Sequence, residues 1–382
     1  MDNYFKNKIN KINHIVIAAG GTGGHIYPGL AVAQELIQRG YSVSWMGSYS
    51  GLEKKIIGEN LNNLNLELDL LNIAGVRKKG ILSWFVLPFK LSRAVWQAYK
   101  ILKKRRANLV ISFGGFASGP AGIAIKLLNK KLFIHEQNAV LGFTNFYLAK
   151  FADQIFTAFP IEKFLSLKNY YLIGNPVRPE ILNLRNIKNI RDIKNFKILI
   201  TGGSQGSEVF NTLIPEALSK ISSSISISIH HQAGPKSIGI AEKKYQEKKL
   251  AGMSHEVYLT PYFLNIAEEY AWADLVICRA GALTVYELAI AGVPAIFIPH
   301  PGVVDDHQRK NAEWLSSRNI NLCLVQKDLS PEKLGAEKLA QEIQKLINTP
   351  EILKRWREAA YLETDNKKEA VRLLVDHVDQ LN

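Results

Sequence analysis

Cysteine is scarce: Cys278 and Cys323 are the two in 382 residues. That number excludes a disulfide-built scaffold and suits a reducing cytoplasm. Long apolar runs are missing as well, since none reaches the roughly 18 residues needed to cross a bilayer. Met1 to Asn13 is rich in Lys and Asn and has no apolar h-region, so no secretory signal peptide is expected. No repeat of solenoid period occurs. Two nucleotide signatures are also absent. A dinucleotide fingerprint read from Gly21 finds Ile26 where its third glycine belongs, and Val43–Met46 runs into Gly47 and Ser48 with no acid to read a ribose. There is no Walker A sequence, which argues against an ATPase or kinase of that type. Between Arg77 and Arg106 there is no Asp or Glu at all.

What is present is the material of a soluble globular protein, 47% hydrophobic and 21% charged, in a chain long enough that two domains are expected. Apolar runs alternate with helical patterns. The expected strands of the first half are His14–Ala18, Val43–Met46, Leu66–Leu70, Leu109–Phe113, Leu132–His135, Gln154–Thr157 and Tyr171–Ile173. Those of the second half are Lys197–Thr201, Ser224–His230, Glu256–Leu259, Leu275–Cys278, Ala295–Ile298 and Leu322–Val325. Strands alternating with helices indicate parallel sheets covered on both faces. The strict alternation Ser224–Ile229 predicts one strand with a less covered face. A boundary is expected in Gly174–Pro179, where two prolines and a glycine punctuate, and Pro350–Asn382 reads as helices.

Three glycine clusters follow apolar runs: Gly20-Gly21-Thr22-Gly23-Gly24-His25, Gly114-Gly115-Phe116-Ala117-Ser118-Gly119 and Gly202-Gly203-Ser204-Gln205-Gly206. Glycine at a strand-to-helix turn lets backbone N–H groups approach an anion closely, and the helix start adds the positive end of a dipole. Two clusters in the first half and one opening the second suggest two nucleotide-fold domains facing across a cleft, with phosphates between them. Pro28 predicts a helix start in the first cluster, with His25 projecting from the turn as a general base or phosphate partner; local packing is the other reading.

Arg279–Glu287 follows the strand Leu275–Cys278, and a carboxylate at Glu287 suits a ribose diol; stabilising a helix N-terminus is its alternative role. Asp305, Asp306 and His307 raise the question of a metal, but adjacent carboxylates point in different directions, so a polar or sugar-binding loop is expected there. His135-Glu136-Gln137-Asn138 ends another strand at the same sheet edge and suggests ligand contact. The net charge is +14, and ten Lys and Arg from Arg77 to Arg106 interleave with Ile81, Leu82, Trp84, Phe85 and Trp96. That pattern fits a segment docking on anionic lipid. A solvated helix face with an apolar core side is the competing reading, and RNA binding a third that no nucleic-acid motif accompanies.

Taken in order, Gly20–Pro28, Phe113–Pro120, His135–Asn138, Gly174–Arg178, Gly202–Gly206, Arg279–Glu287 and Asp305–Gln308 resemble glycosyltransferase family 28 of the GT-B superfamily. The resemblance is to its UDP-N-acetylglucosamine transferases acting on undecaprenyl-pyrophosphoryl-N-acetylmuramyl-pentapeptide. It runs from about Ile12 to Ala312. It implies an α/β GT-B fold of two Rossmann-like, doubly wound parallel-sheet domains. The expected acceptor- and membrane-binding domain is 1–175 plus a C-terminal helix at about 364–382, and the UDP-sugar domain is 176–363. It further implies inverting transfer to the acceptor 4-hydroxyl, with His25 as base and Glu136 as a weaker candidate.

On the donor side the resemblance assigns Arg178, Ser204 and Gln205 to the diphosphate region and Phe263 to uracil, largely through its backbone. Ala282, Leu283, Thr284, Val285, Tyr286 and Glu287 form the diphosphate and ribose turn. Asn138 and Gln308 touch the sugar, and Thr22, Gly23 and Gly24 join the donor set while facing the reaction centre from the acceptor side. Gly20, Gly21, Gly114, Gly115 and Ser118 fall to the acceptor, and Ile81, Leu82, Trp84 and Phe85 to the membrane. The resemblance calls for no cofactor, no metal and no nucleic acid. The partners are UDP-N-acetylglucosamine, the undecaprenyl-linked acceptor and an anionic surface on the cytoplasmic face of the bacterial inner membrane. Another UDP-sugar transferase with a lipid acceptor, a UDP-N-acetylglucosamine 2-epimerase and a silent nucleotide-sugar-binding module are the alternatives.

Overall fold

The computed structural model describes residues 12–21, 23–49, 64, 66–73, 82–186, 195–203, 205–222, 226–248, 250, 255–302, 306–367 and 369–382. The chain divides into two compact units, residues 1–178 with 366–382, and 179–365. Among the described residues each unit holds one all-parallel sheet.

In the first unit the strands are β1 (His14–Ala19), β2 (Ser42–Ser48), β3 (Glu67–Leu71), β4 (Leu109–Gly114), β5 (Lys131–Glu136), β6 (Gln154–Thr157) and β7 (Tyr170–Leu172). Their order is β3-β2-β1-β4-β5-β6-β7. The helices include α1 (Gly23–Gln38), α2 (Leu82–Arg105), α3 (Ser118–Leu127) and α4 (Phe143–Leu148). Alternation along β1 builds two cores. Ile15 and Ile17 face one way, with Ile26, Leu30 and Leu36 of α1, while Val16 and Ala18 face the other, with Ala121 and Ile125 of α3. The order reverses between β1 and β4, which makes that carboxyl edge the place where α/β sheets bind ligands.

The second unit carries α5 (Pro179–Asn183), β8 (Asn195–Thr201), α6 (Glu208–Leu218), β9 (Ser226–Gln232), α7 (Ile238–Glu247), β10 (His255–Thr260), α8 (Ile266–Trp272), β11 (Leu275–Cys278) and α9 (Ala282–Ala291). They are followed by β12 (Ala295–Phe297), α10 (His307–Ser316), β13 (Leu322–Cys323), α11 (Gly335–Asn348) and α12 (Pro350–Thr364). The order β10-β9-β8-β11-β12-β13 repeats the same reversal, now between β8 and β11. Phe196, Ile198 and Ile200 of β8 pack with Phe210 and Ile214 of α6 and Leu339 of α11.

The last helix, α13 (Ala370–Asp379), belongs to the first unit. Leu374, Val375 and Val378 are fully buried in the core cluster that holds α1. Burial of each contributes roughly 1.5–3 kcal/mol. Arg39 pins the helix from outside, reaching Asp376 and Asp379 at 2.6 Å each.

One local expectation changes. The helix after the first glycine cluster begins at Gly23, so Pro28 lies inside α1 rather than at its start. Proline has no N–H, so the Gly24 carbonyl is released from the helix ladder. The alternation in β9 does mark a less covered face: Ser226 is exposed and His230 half-buried, whereas Ile227, Ile229 and His231 on the other face are fully buried. Ser228 is 4% exposed because its hydroxyl is bonded to Asn195 Nδ2 at 2.9 Å and to Glu256 Oε2 at 3.3 Å. The one buried hydroxyl described on that face is thus satisfied.

Candidate active site

In the first unit the glycine clusters after β1 and β4 touch backbone to backbone. Gly115 has φ +89°, and a β-carbon on it would stand 2.2 Å from the Gly20 carbonyl oxygen. Any side chain there would force the two strand ends apart. His25, in the first turn of α1, is held at this junction. Its Nδ1 donates to the Gly20 carbonyl at 3.0 Å, which assigns the tautomer with the lone pair on Nε2. A β-carbon on Gly114 would lie 3.3 Å from that Nε2, so the ring packs on a bare glycine. Ser118 braces the junction from below. It is fully buried, with Oγ 2.7 Å from the Ala18 carbonyl and 2.8 Å from the Gly114 carbonyl. That placement makes Ser118 a support for the loop and leaves its hydroxyl facing backbone.

Glu136 stands at the end of β5, 2% exposed. Oε1 accepts from Asn138 N at 3.0 Å and Nδ2 at 3.2 Å, and Oε2 from Gly142 N and Asn145 Nδ2, both at 3.0 Å. Four donors around one carboxylate pin the 137–142 loop. They fill the acceptor positions of the carboxylate and hold it as an orienting group for the loop. Asn138 is thereby oriented through Glu136. His135 is buried with Nε2 donating to the Gly174 carbonyl at 2.9 Å, and desolvation pulls it down to about 4. Arg178, at the end of the first unit, lies 5.3 Å from the Tyr27 ring.

In the second unit a pocket of about 300 Å³ opens at the β8/β11 switch point. Gly202 and Gly203 form one wall, Arg279, Gly281 and Thr284 another, and His300 and Gln308 the rim. Gly281 caps α9, so that helix N-terminus faces the same space. Tight backbone packing sets the glycine loop. Gly206 has φ +75°, and a β-carbon on it would come 2.2 Å from the Ala233 carbonyl oxygen.

Arg279 dominates the electrostatics. It is 8% exposed and donates to the Ile298 carbonyl at 3.0 Å, Gln326 Oε1 at 2.7 Å and Ser207 Oγ at 2.8 Å. All three acceptors are neutral, and among the described residues no carboxylate pairs with it. Burial pulls it down to about 10, so it stays cationic at neutral pH while paying for desolvation. A buried cation lining a pocket of backbone N–H groups is suited to an anion. In the sequence Arg279 heads the 279–287 motif, and the resemblance assigns it no role. The available signal was an arginine directly after a strand at the ligand edge.

The other predicted donor residues divide. Ala282, Leu283 and Thr284 occupy the first turn of α9. Val285 and Tyr286 are fully buried, with Tyr286 stacked on Trp314 at 5.1 Å, so their side chains serve the core and not the ligand edge. Glu287 is 3% exposed, and the Tyr270 hydroxyl stands 3.4 Å from Oε2. Gln308 Oε1 accepts from His300 N at 2.9 Å. Phe263 is 7% exposed, and its N–H points to Gln232 Oε1 at 3.4 Å. Gln205 is exposed, Gly23 is half-buried and Gly24 is exposed. Thr22, Ser204, Ile81 and Asp305 lie outside the described residues. Asp306 pairs with Arg309, and among the described residues no three His, Cys, Asp or Glu gather as a metal-binding group.

The membrane candidates Leu82, Trp84 and Phe85 belong to the first turn of α2. Further along that helix Phe89 is 80% and Trp96 59% exposed, beside exposed Lys90, Arg93, Lys103 and Lys104. Lys100 Nζ lies 3.4 Å from the Trp96 ring centroid. Arg105 is the exception in this basic face, because Asp69 and Glu67 of β3 hold it in ion pairs. Among the described residues no helix is long and apolar enough to cross a membrane.

Comparison with known proteins matches residues 15–157 to the glycosyltransferase family 28 N-terminal domain and 197–374 to its C-terminal domain. A relative from Shewanella denitrificans is 37% identical over 92% of this chain and 94% of its own. One from Psychromonas ingrahamii is 41% identical over 84% of this chain and 87% of its own. Both are named UDP-N-acetylglucosamine--N-acetylmuramyl-(pentapeptide) pyrophosphoryl-undecaprenol N-acetylglucosamine transferase. The crystal structure of Acinetobacter baumannii MurG superposes with a TM-score of 0.78 at 32% identity, covering 96% of this chain and 99% of that one.

Proposed function

The chain belongs to glycosyltransferase family 28, and on that premise we propose that it transfers N-acetylglucosamine from UDP-N-acetylglucosamine to the 4-hydroxyl of undecaprenyl-pyrophosphoryl-N-acetylmuramyl-pentapeptide. The observation that carries the donor half is Arg279, a buried cation that no carboxylate pairs among the described residues, facing Gly203 and the α9 N-terminus in one pocket. A nucleoside diphosphate supplies an anion of the kind such a cation binds.

The reaction forms one bond and breaks one. The acceptor oxygen attacks C1 of the sugar, the bond from C1 to the β-phosphate oxygen breaks, and UDP leaves with the electron pair. The 4-hydroxyl proton passes to His25 Nε2, a role supported by the tautomer that Gly20 selects. Negative charge growing on UDP is met by Arg279 and by N–H groups of the glycine loop and of α9. Each such donor supplies roughly 3 kcal/mol to the transition state. Glu287 holds the ribose diol, and Gln308 and Asn138 the sugar. Because the acceptor is lipid-linked, the enzyme sits peripherally on the cytoplasmic face of the inner membrane. The basic-aromatic face of α2 meets anionic lipid there, which exposed Phe89, Trp96 and the lysines around them support.

The test is transfer of labelled N-acetylglucosamine from its UDP donor to a short-chain analogue of the acceptor, with and without EDTA. Transfer that persists in EDTA is expected. Consumption of donor without any acceptor would replace this reading with an epimerase, and UDP binding without turnover would replace it with a binding module.

A further inference from the structure

Gln232 is the last residue of β9, registered between Thr201 of β8 and Thr260 of β10. It is 4% exposed, so its amide works inside the protein. Nε2 donates to the Gly203 carbonyl at 2.7 Å, and Oε1 faces Phe263 N at 3.4 Å. Gly203 forms part of the pocket wall after β8, and Phe263 lies in the loop after β10. One buried amide therefore spans three adjacent strand ends and ties two loops at the sheet's ligand edge. The Gly203 carbonyl also accepts from Gly206 N at 2.9 Å, so the glycine loop closes on itself as well as on Gln232. The contact to Phe263 N has no such second support among the described residues.

We propose that Gln232 is a positioning residue that couples the diphosphate loop to the base-binding loop of the donor site. The inference rests on the donor reading above, in which Gly203 lies against the diphosphate and Phe263 against the uracil. A nucleoside diphosphate has a fixed span between base and phosphates, so its affinity depends on the spacing of the two loops. A ligand that occupies only one loop does not read that spacing.

The experiment measures binding of UDP and of inorganic pyrophosphate to the full-length wild type, Gln232→Leu and Gln232→Glu, with donor KM, kcat and melting temperature alongside. Gln232→Leu removes both hydrogen bonds at similar size. It is expected to weaken UDP binding and raise donor KM between about tenfold and a hundredfold, with pyrophosphate affinity and kcat within about threefold of wild type. In Gln232→Glu the ionised carboxylate is set against the Gly203 carbonyl, and only its protonated form can donate there. UDP affinity relative to wild type is therefore expected to recover as pH falls, a dependence that simple loss of packing does not produce. Equal losses for UDP and pyrophosphate, or unchanged UDP binding in Gln232→Leu, would overturn the coupling role. Failure of the wild type to bind UDP would instead overturn the donor reading beneath it.

Discussion

Replacing Arg279 with methionine separates folding from function, because the structure assigns the charge a cost in one and a gain in the other. Burial lowers the guanidinium from 12.5 to about 10, which corresponds to roughly 3 kcal/mol of folding free energy spent on holding it charged. A neutral side chain of similar length recovers that amount and keeps much of the contact with Phe210, whose ring lies 4.4 Å from the guanidinium carbon. Against it stand three hydrogen bonds, to Ile298, Gln326 and Ser207, each contributing about 1.5 kcal/mol net at the low end for a charged donor. The two effects nearly cancel, so the unliganded Arg279→Met protein is expected to unfold within about 2 kcal/mol of wild type. Ligand binding has no such cancellation. A charge at about 4 Å from a phosphate, at an effective dielectric near 20, contributes about 4 kcal/mol. UDP affinity and kcat/KM should each fall by about a hundredfold or more. Denaturant unfolding with and without UDP reads both quantities: the wild type gains stability from UDP and the variant does not. A variant that binds UDP within about threefold of wild type would refute the role of Arg279. A loss of more than about 4 kcal/mol without ligand would show that the residue serves the fold instead.

Backbone features carried most of what could be read in the sequence. Every strand expected from apolar runs recurs within a few residues, because a parallel strand covered on both faces writes itself as a continuous apolar segment. The three glycine clusters were legible for a similar reason, since Gly115 and Gly206 occupy positions where a β-carbon would collide with a neighbouring carbonyl. Side-chain partnerships were not legible. Glu136 in a polar tetrad at a strand end looks like a ligand contact, and only the positions of Asn138, Gly142 and Asn145 reveal a carboxylate with its acceptor sites filled. Val285 and Tyr286 sit in a ligand-facing motif, yet a helix turns them into the core within one turn of Thr284. Arg279 needed the opposite correction. Its importance comes from the absence of an acid among Ile298, Gln326 and Ser207, which are distant in sequence. Pro28 misplaced a helix start because the helix extends more than one turn further back, to Gly23, and continues despite the one ladder bond lost to the Gly24 carbonyl.

Three further outcomes follow from individual groups. His25→Ala should lower kcat by about a hundredfold to ten-thousandfold while UDP affinity stays within about threefold, whereas Glu136→Gln should lower the melting temperature and leave the limbs of the pH–rate profile in place; normal turnover in His25→Ala would remove it as the base. Reversing Lys100, Lys103 and Lys104 to Glu should weaken sedimentation with anionic vesicles by more than about a hundredfold at low salt, at about 1 kcal/mol per charge, and unchanged sedimentation would refute the electrostatic part of docking. Acid stability supplies the third, and its sign follows from two buried histidines. Burial holds His135 down to about 4 and His231 down to about 3. Both values lie below the 6.5 of an unfolded histidine, so above pH 6.5 the neutral rings favour the fold in full. As pH falls below 6.5 the unfolded chain takes up protons that the folded rings refuse, and stability declines until about pH 4 for His135 and about pH 3 for His231. By pH 4 each histidine has withdrawn roughly 3 kcal/mol. Urea unfolding from pH 7.5 to 4.5 should therefore steepen below about 6.5, and His231→Phe should flatten the slope by one proton. A slope unchanged in His231→Phe would mean that carboxylates, not this ring, set the acid limit.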